Sequence, residues 1–314
     1  MRLRATAQAV LGKYYLYIFI VIIFFVSCFL SDKFFTVRNM ENILIHNAVI
    51  ASIALGMLFV VISGGIDLSV GSVVALSSTA LAIFIQAGLP LPLAILLTFC
   101  VGAGVGFMNG FFIAYTRIAP LIVTLASLSI IKGAAYLLQT GYGRRLYDPV
   151  FDFLFASGSI YKIPLPVIYM ILLYLIAHFI LSSTDFGKNI YAIGGNKQAS
   201  YLVGINVRGH LIAVYALCSM LAVVGSIIVS ARLMMGTARI GEGYELDAIA
   251  TAVLGGAALI GGRGSAFKIL IAAFILGIMS NILNLTGVAI YYQMLMKGGI
   301  LLVAAMAQEV EWQS

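Results

Sequence analysis

The residues from Ser63 to Ser72 set one carboxylate (Asp67), three hydroxyls (Ser63, Ser69, Ser72) and three glycines (Gly64, Gly65, Gly71) between two hydrophobic runs. Each flanking run is long enough to cross a bilayer. Lipid cannot satisfy free peptide groups, so glycine-broken backbone at membrane depth survives only packed in protein or lining a cavity. Asp67 therefore has two readings: a group on a conducting path, the default for an intramembrane ionisable residue, or a cap on the following helix. These residues alone leave both open. Glu245 and Asp247 open a later apolar run after Gly243 and Tyr244, and Lys132 and Lys297 interrupt two others, where each can snorkel or pair with an acid.

Other chemistries lack their residues. The Gly12-Lys13 and Gly187-Lys188 pairs have neither the upstream glycine nor the following Ser or Thr of a phosphate-cradling loop, so the chain is not expected to hydrolyse nucleotide itself. No G-x-S-x-G nucleophile elbow and no HExxH occur, which argues against an enzyme. His46, His178 and His210 stand apart, without metal-ligand spacing, and read as helix-to-helix hydrogen-bonding groups; no metal site is expected. Cys28, Cys100 and Cys218 are odd in number and scattered through apolar runs, so they read as small core residues rather than a disulfide framework.

The elements that must hold these residues are membrane helices. The chain is 62% hydrophobic and 9% charged, with mean hydropathy +1.11, whereas soluble domains carry roughly 25% charged residues. The net charge of +7 suits lipid headgroup and cytoplasmic anchoring; with no aromatic-interleaved basic patch, no nucleic-acid partner is expected. The predicted fold is an all-α integral membrane protein, one permease-like domain over residues 1–314 with about ten transmembrane helices. The spans fall near 14–30, 43–63, 68–88, 91–115, 120–138, 163–182, 211–231, 248–262, 266–287 and 290–307. The eighth carries Gly255, Gly256, Gly261 and Gly262 and is either a full crossing or a broken one. Gly102, Gly106 and Gly110 lie four apart, so a neighbouring helix is expected to approach that face closely.

Two stretches are alike. Gly65 to Ser69 recurs as Gly243 to Asp247, and Lys132-Gly133 recurs as Lys297-Gly298, which suggests inverted four-span units over 43–138 and 211–307. Arg2, Arg4 and Lys13 share a side with the polar segment 183–210, giving a weak positive-inside bias toward a cytoplasmic N-terminus. In that segment Gly194-Gly195-Asn196 reads as a turn, Lys197 to Val203 as a short helix outside the bilayer, and Gly204 as its stop. Such a helix fits either a groove on a partner or a bed of lipid headgroups.

Four blocks in order resemble the ribose-type permease family of bacterial ABC sugar importers: SGGIDLSVGS at 63–72, AIGGNKQASYLVGINV at 192–207, GYELDAIATAVLGGAALIGGRGS at 243–265 and NLTGVAIYYQMLMK at 284–297. The resemblance implies a permease subunit in the bacterial cytoplasmic (inner) membrane, paired with a second permease copy or a related one. It further implies supply by a periplasmic solute-binding protein and drive by ATPase subunits that use ATP and Mg, no cofactor being held by this chain. Asn196, Lys197, Gln198, Ala199, Ser200 and Gly204 are similar to the family's degenerate coupling-helix pattern, with its glutamate and second alanine replaced. The implied substrate is a pentose, hexose or related hydroxylated solute; Gly88 to Thr98 is loosely similar to autoinducer permeases. Because the binding protein would carry most of the recognition, the path is expected to be lined by small and polar residues: Ser63, Asp67, Ser69, Ser72, Asn109, Glu245 and Asp247. The competing expectation is an ion-coupled secondary transporter or channel, which also uses broken helices and buried acids.

Overall fold

The computed structural model describes residues 2–139 and 141–313; the side chains of 2–13, 301, 303–305 and 307–313 lie outside it, and with them the charges of Arg2, Arg4 and Lys13. Helix starts follow local chemistry. After α1 (Arg2–Leu30), Thr36 accepts from the Asn39 amide and opens α2 (Val37–Ile62), and α3 (Val70–Gln86) follows a seven-residue break. Prolines in the first turn, which need no helical N–H there, open α4 (Leu91–Tyr115) and α7 (Leu165–Ser183); Pro120 opens α5 (Pro120–Gln139). Between α5 and α7 lie β1 (Arg144–Arg145), α6 (Pro149–Asp152), a π-helical turn at Phe153–Ser157, and the small hairpin of β2 (Ser159–Ile160) with β3 (Ile163–Pro164).

The second half begins with α8 (Asp185–Gly195), capped by Thr184, and α9 (Lys197–Leu202), capped by Asn196, whose Oδ1 accepts from Ala199 N at 2.9 Å. It continues through α10 (Val207–Leu233), β4 (Met235–Gly236), α11 (Tyr244–Leu254), α12 (Ala266–Leu285) and α13 (Ile290–Gln313). One expectation is corrected here, and one alternative left open falls to a broken segment. Gly194 and Gly195 end a helix rather than forming a turn, and the reversal falls on Asn196. The stretch 248–262 is not one helix: α11 stops at Leu254, and Gly256, Gly261 and Gly262 have positive φ, which ends helical geometry. Among the described residues, six helices, α2, α4, α5, α7, α10 and α12, are long and apolar enough to cross a membrane, and Tyr14–Leu30 and Val70–Gln86 are shorter apolar helices.

The core is a crossing of α2 with α10, lined by close-packed small residues. A Cβ on Gly56 would meet the Cys218 backbone, and one on Gly225 would meet Ile53. Gly102, Gly106 and Gly110 of α4 press on Val223, Tyr215–Ala216 and Ile212 of α10, as their spacing predicts, while Gly104 faces open space. Buried hydroxyls bind α3 to α10: Ser78 Oγ lies 2.7 Å from Ser230 Oγ, and Ser226 donates to Val74 O at 2.8 Å. Tyr174 of α7 donates to Ala51 O of α2 at 2.9 Å.

The two ends of the bundle differ. At one, hereafter the near end, the last turn of α8, which leads into α9, meets the end of α2 through bare backbone. Gly262 N donates to Ile62 O at 2.8 Å, a Cβ on Gly194 would collide with Ile62 O and Gly262 N, and one on Gly261 would collide with Gly194 and Gly64. Tyr191 of α8 adds a bond to Gly264 O at 2.8 Å, and its burial pushes that phenol above the ordinary tyrosine range. At the far end, β1 pairs with β4, and Gln139 Oε1 accepts from Thr237 Oγ1 at 3.0 Å and Ala238 N at 2.5 Å.

Candidate functional site: two buried helix starts and a polar pocket

The break between α2 and α3 is sealed inside protein. Asp67 has no exposed surface, and its Oδ1 accepts from Ser69 N at 2.9 Å and Ser69 Oγ at 2.6 Å, an Asx turn that leads the chain into α3. Asn109 of α4 donates to Ser69 Oγ at 2.9 Å, and Ser72 donates to Ser69 O at 2.7 Å. Thr124 of α5 reaches Ile66 O at 3.3 Å and Tyr215 of α10 reaches the same oxygen at 3.5 Å. Tyr215 sits about 12 Å along α10 from its near-end start, at 1.5 Å per residue, so the break rises well into the bundle. Among the described residues Asn109 Oδ1 has no hydrogen-bond partner, and the Cys218 thiol faces the Asp67 carboxylate.

The start of α11 meets the start of α3. A Cβ on Gly71 would strike both the Glu245 carboxylate and Gly241 O, so this approach requires glycine. Two lysines flank the α11 start. Lys297 of α13 pairs with Asp247 at 2.8 Å, and Lys132 of α5 donates to Ile240 O at 3.4 Å, where the charges of Glu242 and Glu245 act on it.

Of the sequence-predicted path residues, the structure brings Asp67, Ser69, Ser72 and Asn109 into one buried cluster, with Glu245 against Gly71 at its edge. Asp247 lies apart in its ion pair. Ser63 also stands apart, its hydroxyl turned back to Val60 O at 2.7 Å. All four are buried in this conformation.

The polar cavity lies elsewhere. A pocket of about 420 Å³ is lined by His46 of α2, Val229 and Arg232 of α10, and Arg239, Glu242 and Tyr244 of the stretch leading into α11. Sequence reading missed it because its charges come from helix ends and a loop more than 180 residues beyond His46. The one available signal was the Arg239-to-Asp247 segment, which carries four charges in an apolar region.

On the near end, α9 stands out from the bundle. Lys197, Gln198 and Ala199 are exposed, Asn196 caps, Ser200 turns inward to Asn196 O at 2.9 Å, and Gly204 ends the element with φ +87°. Tyr201, Leu202 and Val203 are 71%, 78% and 77% exposed. Sequence reading missed this apolar patch because the pattern it followed ran through the polar positions.

The comparisons agree on a transport-system permease component. A family profile described as branched-chain amino acid transport system / permease component matches residues 39–305. The ribose import permease protein of Escherichia coli K12 is 40% identical over 281 residues, covering 88% of this chain and 87% of that protein. Its counterpart in Bacillus subtilis 168 is 39% identical over 293 residues, covering 93% and 90%. The D-allose transport system permease protein of E. coli K12 is 34% identical over 295 residues, covering 93% and 89%. No solved structure matches. With a match from α2 into α13, and with its apolar helices packed around broken ones, the chain belongs to this family of transport-system permease components.

Proposed function

We propose that the chain is the membrane-spanning permease subunit of an ATP-binding-cassette importer for a small sugar or related hydroxylated solute. The observation that carries this reading is similarity over 88–93% of the chain to ribose import permease proteins, in a chain that presents α9 as an exposed, capped helix beyond the bundle. A second permease copy or a related chain completes the path, a periplasmic binding protein delivers the solute, and a cytoplasmic ATPase binds ATP and Mg. The near end faces the cytoplasm of a bacterial inner membrane, and α9 with Tyr201, Leu202 and Val203 seats in the ATPase.

The duplicated units invert. Support comes from reciprocal packing: α4 glycines press on α10, while Gly277 of α12 presses on Asn47 of α2. The start of α3 enters from the near end and that of α11 from the far end, and Lys132 and Lys297 each reach the stretch before or within α11. On this reading residues 235–265 complete the eighth of ten crossings as a half-helix with extended flanks. Closure of the ATPase pair pushes on 196–204 and rocks the bundle between outward and inward access.

Co-purification tests the reading. The affinity-tagged chain, expressed with its host's transport ATPase and binding protein, should hold the ATPase and support pentose uptake that needs both ATP and the binding protein. Uptake by the purified chain alone, driven by a sodium or proton gradient, would overturn it.

A further inference from the structure

The pocket between α2, α10 and the start of α11 gathers charged groups from separate elements, one of which, Glu242, also acts on Lys132 of α5. Among the described residues, Arg232, Arg239 and Glu242 take part in no hydrogen bond or ion pair through their side chains; all three are exposed and line one cavity, so their charges are free to meet a ligand. His46 and Tyr244, both partly buried, supply two more polar groups on an aromatic wall. The volume of about 420 Å³ falls within the roughly 300–1,000 Å³ of small-molecule sites.

The mixture of signs selects the ligand. Two guanidinium groups repel a cation, while Glu242 disfavours a small polyanion. A hydroxyl both donates and accepts, so a polyol can donate to Glu242 and accept from Arg232 and Arg239 at the same time. Neutral hydroxyls bonded to charged groups gain about twice what they gain from neutral partners, and the Tyr244 ring offers a flat surface for the apolar face of a sugar ring.

The pocket also sits where occupancy can be sensed. Arg239, Glu242 and Tyr244 belong to the stretch whose Gly241 packs on Gly71 at the start of α3, and Asp247, one turn into α11, is held by Lys297. Both glycines of that stretch, Gly241 and Gly243, have positive φ, so the segment turns sharply at two points. A solute bridging Arg232 of α10 to Glu242 would tie the end of α10 to the start of α11.

We propose that this pocket is a solute-receiving subsite for a neutral polyhydroxylated ring, held by Arg232, Arg239, Glu242 and Tyr244, on the path from the far end of the permease. The proposal rests on the importer reading above and deepens it.

The test uses the intact permease–ATPase assembly in proteoliposomes, with Cys28 and Cys100 replaced by Ser and a reporter Leu233→Cys at the pocket rim. Ribose, xylose or arabinose at millimolar concentration should slow alkylation of position 233 severalfold, while tetrahydropyran, a ring of similar size without hydroxyls, should not. A second reporter, Tyr161→Cys, on the β2–β3 turn and 96% exposed, should react equally with and without sugar. Glu242→Gln and Tyr244→Leu should abolish the protection at 233 and lower ATP-driven uptake about tenfold per assembled ATPase, the scale of one charge-assisted hydrogen bond. Equal alkylation with every sugar, or parental uptake by both variants in an assembly that still imports, would overturn the subsite while leaving the importer reading intact. Failure of the importer reading looks different: no ATPase co-purifies and no uptake depends on ATP.

Discussion

At the residue scale, Asp67 shows how a charge at membrane depth can be structural. Its Oδ1 holds both the amide and the hydroxyl of Ser69, and no part of it reaches the surface. Asp67→Asn keeps an acceptor at Oδ1, so it should leave ATP-driven uptake within about twofold of the parent and cost about 1 kcal/mol or less, on the scale of a helix cap. Asp67→Ala removes the acceptor, leaves the Ser69 groups unpaired in a buried site, and should cost about 1–3 kcal/mol, read as a lowered Tm in detergent. Collapse of uptake in a well-expressed Asp67→Asn protein would put the charge on the path instead. The sequence marked Asp67 correctly as unusual yet could not choose its role, because capping and conduction demand the same residue in the same place. The ion pair of Lys297 with Asp247 was foreseen only as one option among snorkelling and pairing, since residues fifty positions apart meet through tertiary packing. The pocket residues were not foreseen at all: His46 was set aside as isolated, although its neighbours are merely distant along the chain.

At the element scale, the near-end glycine contacts join α9 to both helix breaks. Gly194 lies in the last turn of α8, two residues before the cap of α9, and touches Ile62 and Gly262, while Gly261 touches Gly64 at the start of the α2–α3 break. Motion of α8 therefore reaches both loops through backbone, with no side chain to bend in between. Adjacent glycines provide the control: Gly195 has open space where a Cβ would go. Gly194→Ala should reduce uptake per ATP hydrolysed strongly, and Gly195→Ala should leave it near parental; equal effects from both would remove the junction from the transmission path. Gly204 differs again, because its surroundings are open and only its φ of +87° requires glycine. Gly204→Asn, which tolerates that geometry, should retain ATPase binding, while Gly204→Val, disfavoured by about 1–2 kcal/mol, should weaken it. Helices such as α4 and α12 were legible from hydropathy because their apolar runs are unbroken. The end of α11 was not, since Ala, Leu, Ile and Gly from 255 to 262 score as apolar whether they coil or run irregularly.

At the scale of the whole molecule, the near and far ends carry different chemistry and should meet different compartments. Lys197 stands on α9 at the near end, and Tyr147 lies beside the β1–β4 ribbon at the far end, 88% exposed. In sealed cells, Tyr147→Cys should react with an impermeant maleimide from outside, and Lys197→Cys only after the membrane is opened. Labelling of position 197 in intact cells would reverse the assigned orientation. The order of the helices was legible in one sequence because membrane depth filters composition so strongly, but the pairing of α2 with α10 was not. That contact is made by Gly56, Cys218 and Gly225, small residues with no hydropathic signature.

The hydroxyl seam between α3 and α10 has a consequence for biosynthesis. Ser78 and Ser230 are 152 positions apart, as are Val74 and Ser226. At the roughly 5–20 residues per second of translation, α3 enters the membrane on the order of 10–30 s before its partner exists. Through that interval its hydroxyls face lipid, translocon or one another, and the first five helices form an unfinished half. Ribosome-bound chains stopped before residue 207 should accordingly be cut readily by protease at the loops around α3. Chains extended past residue 233 and clear of the exit tunnel should resist, their native seam closing only when α10 arrives.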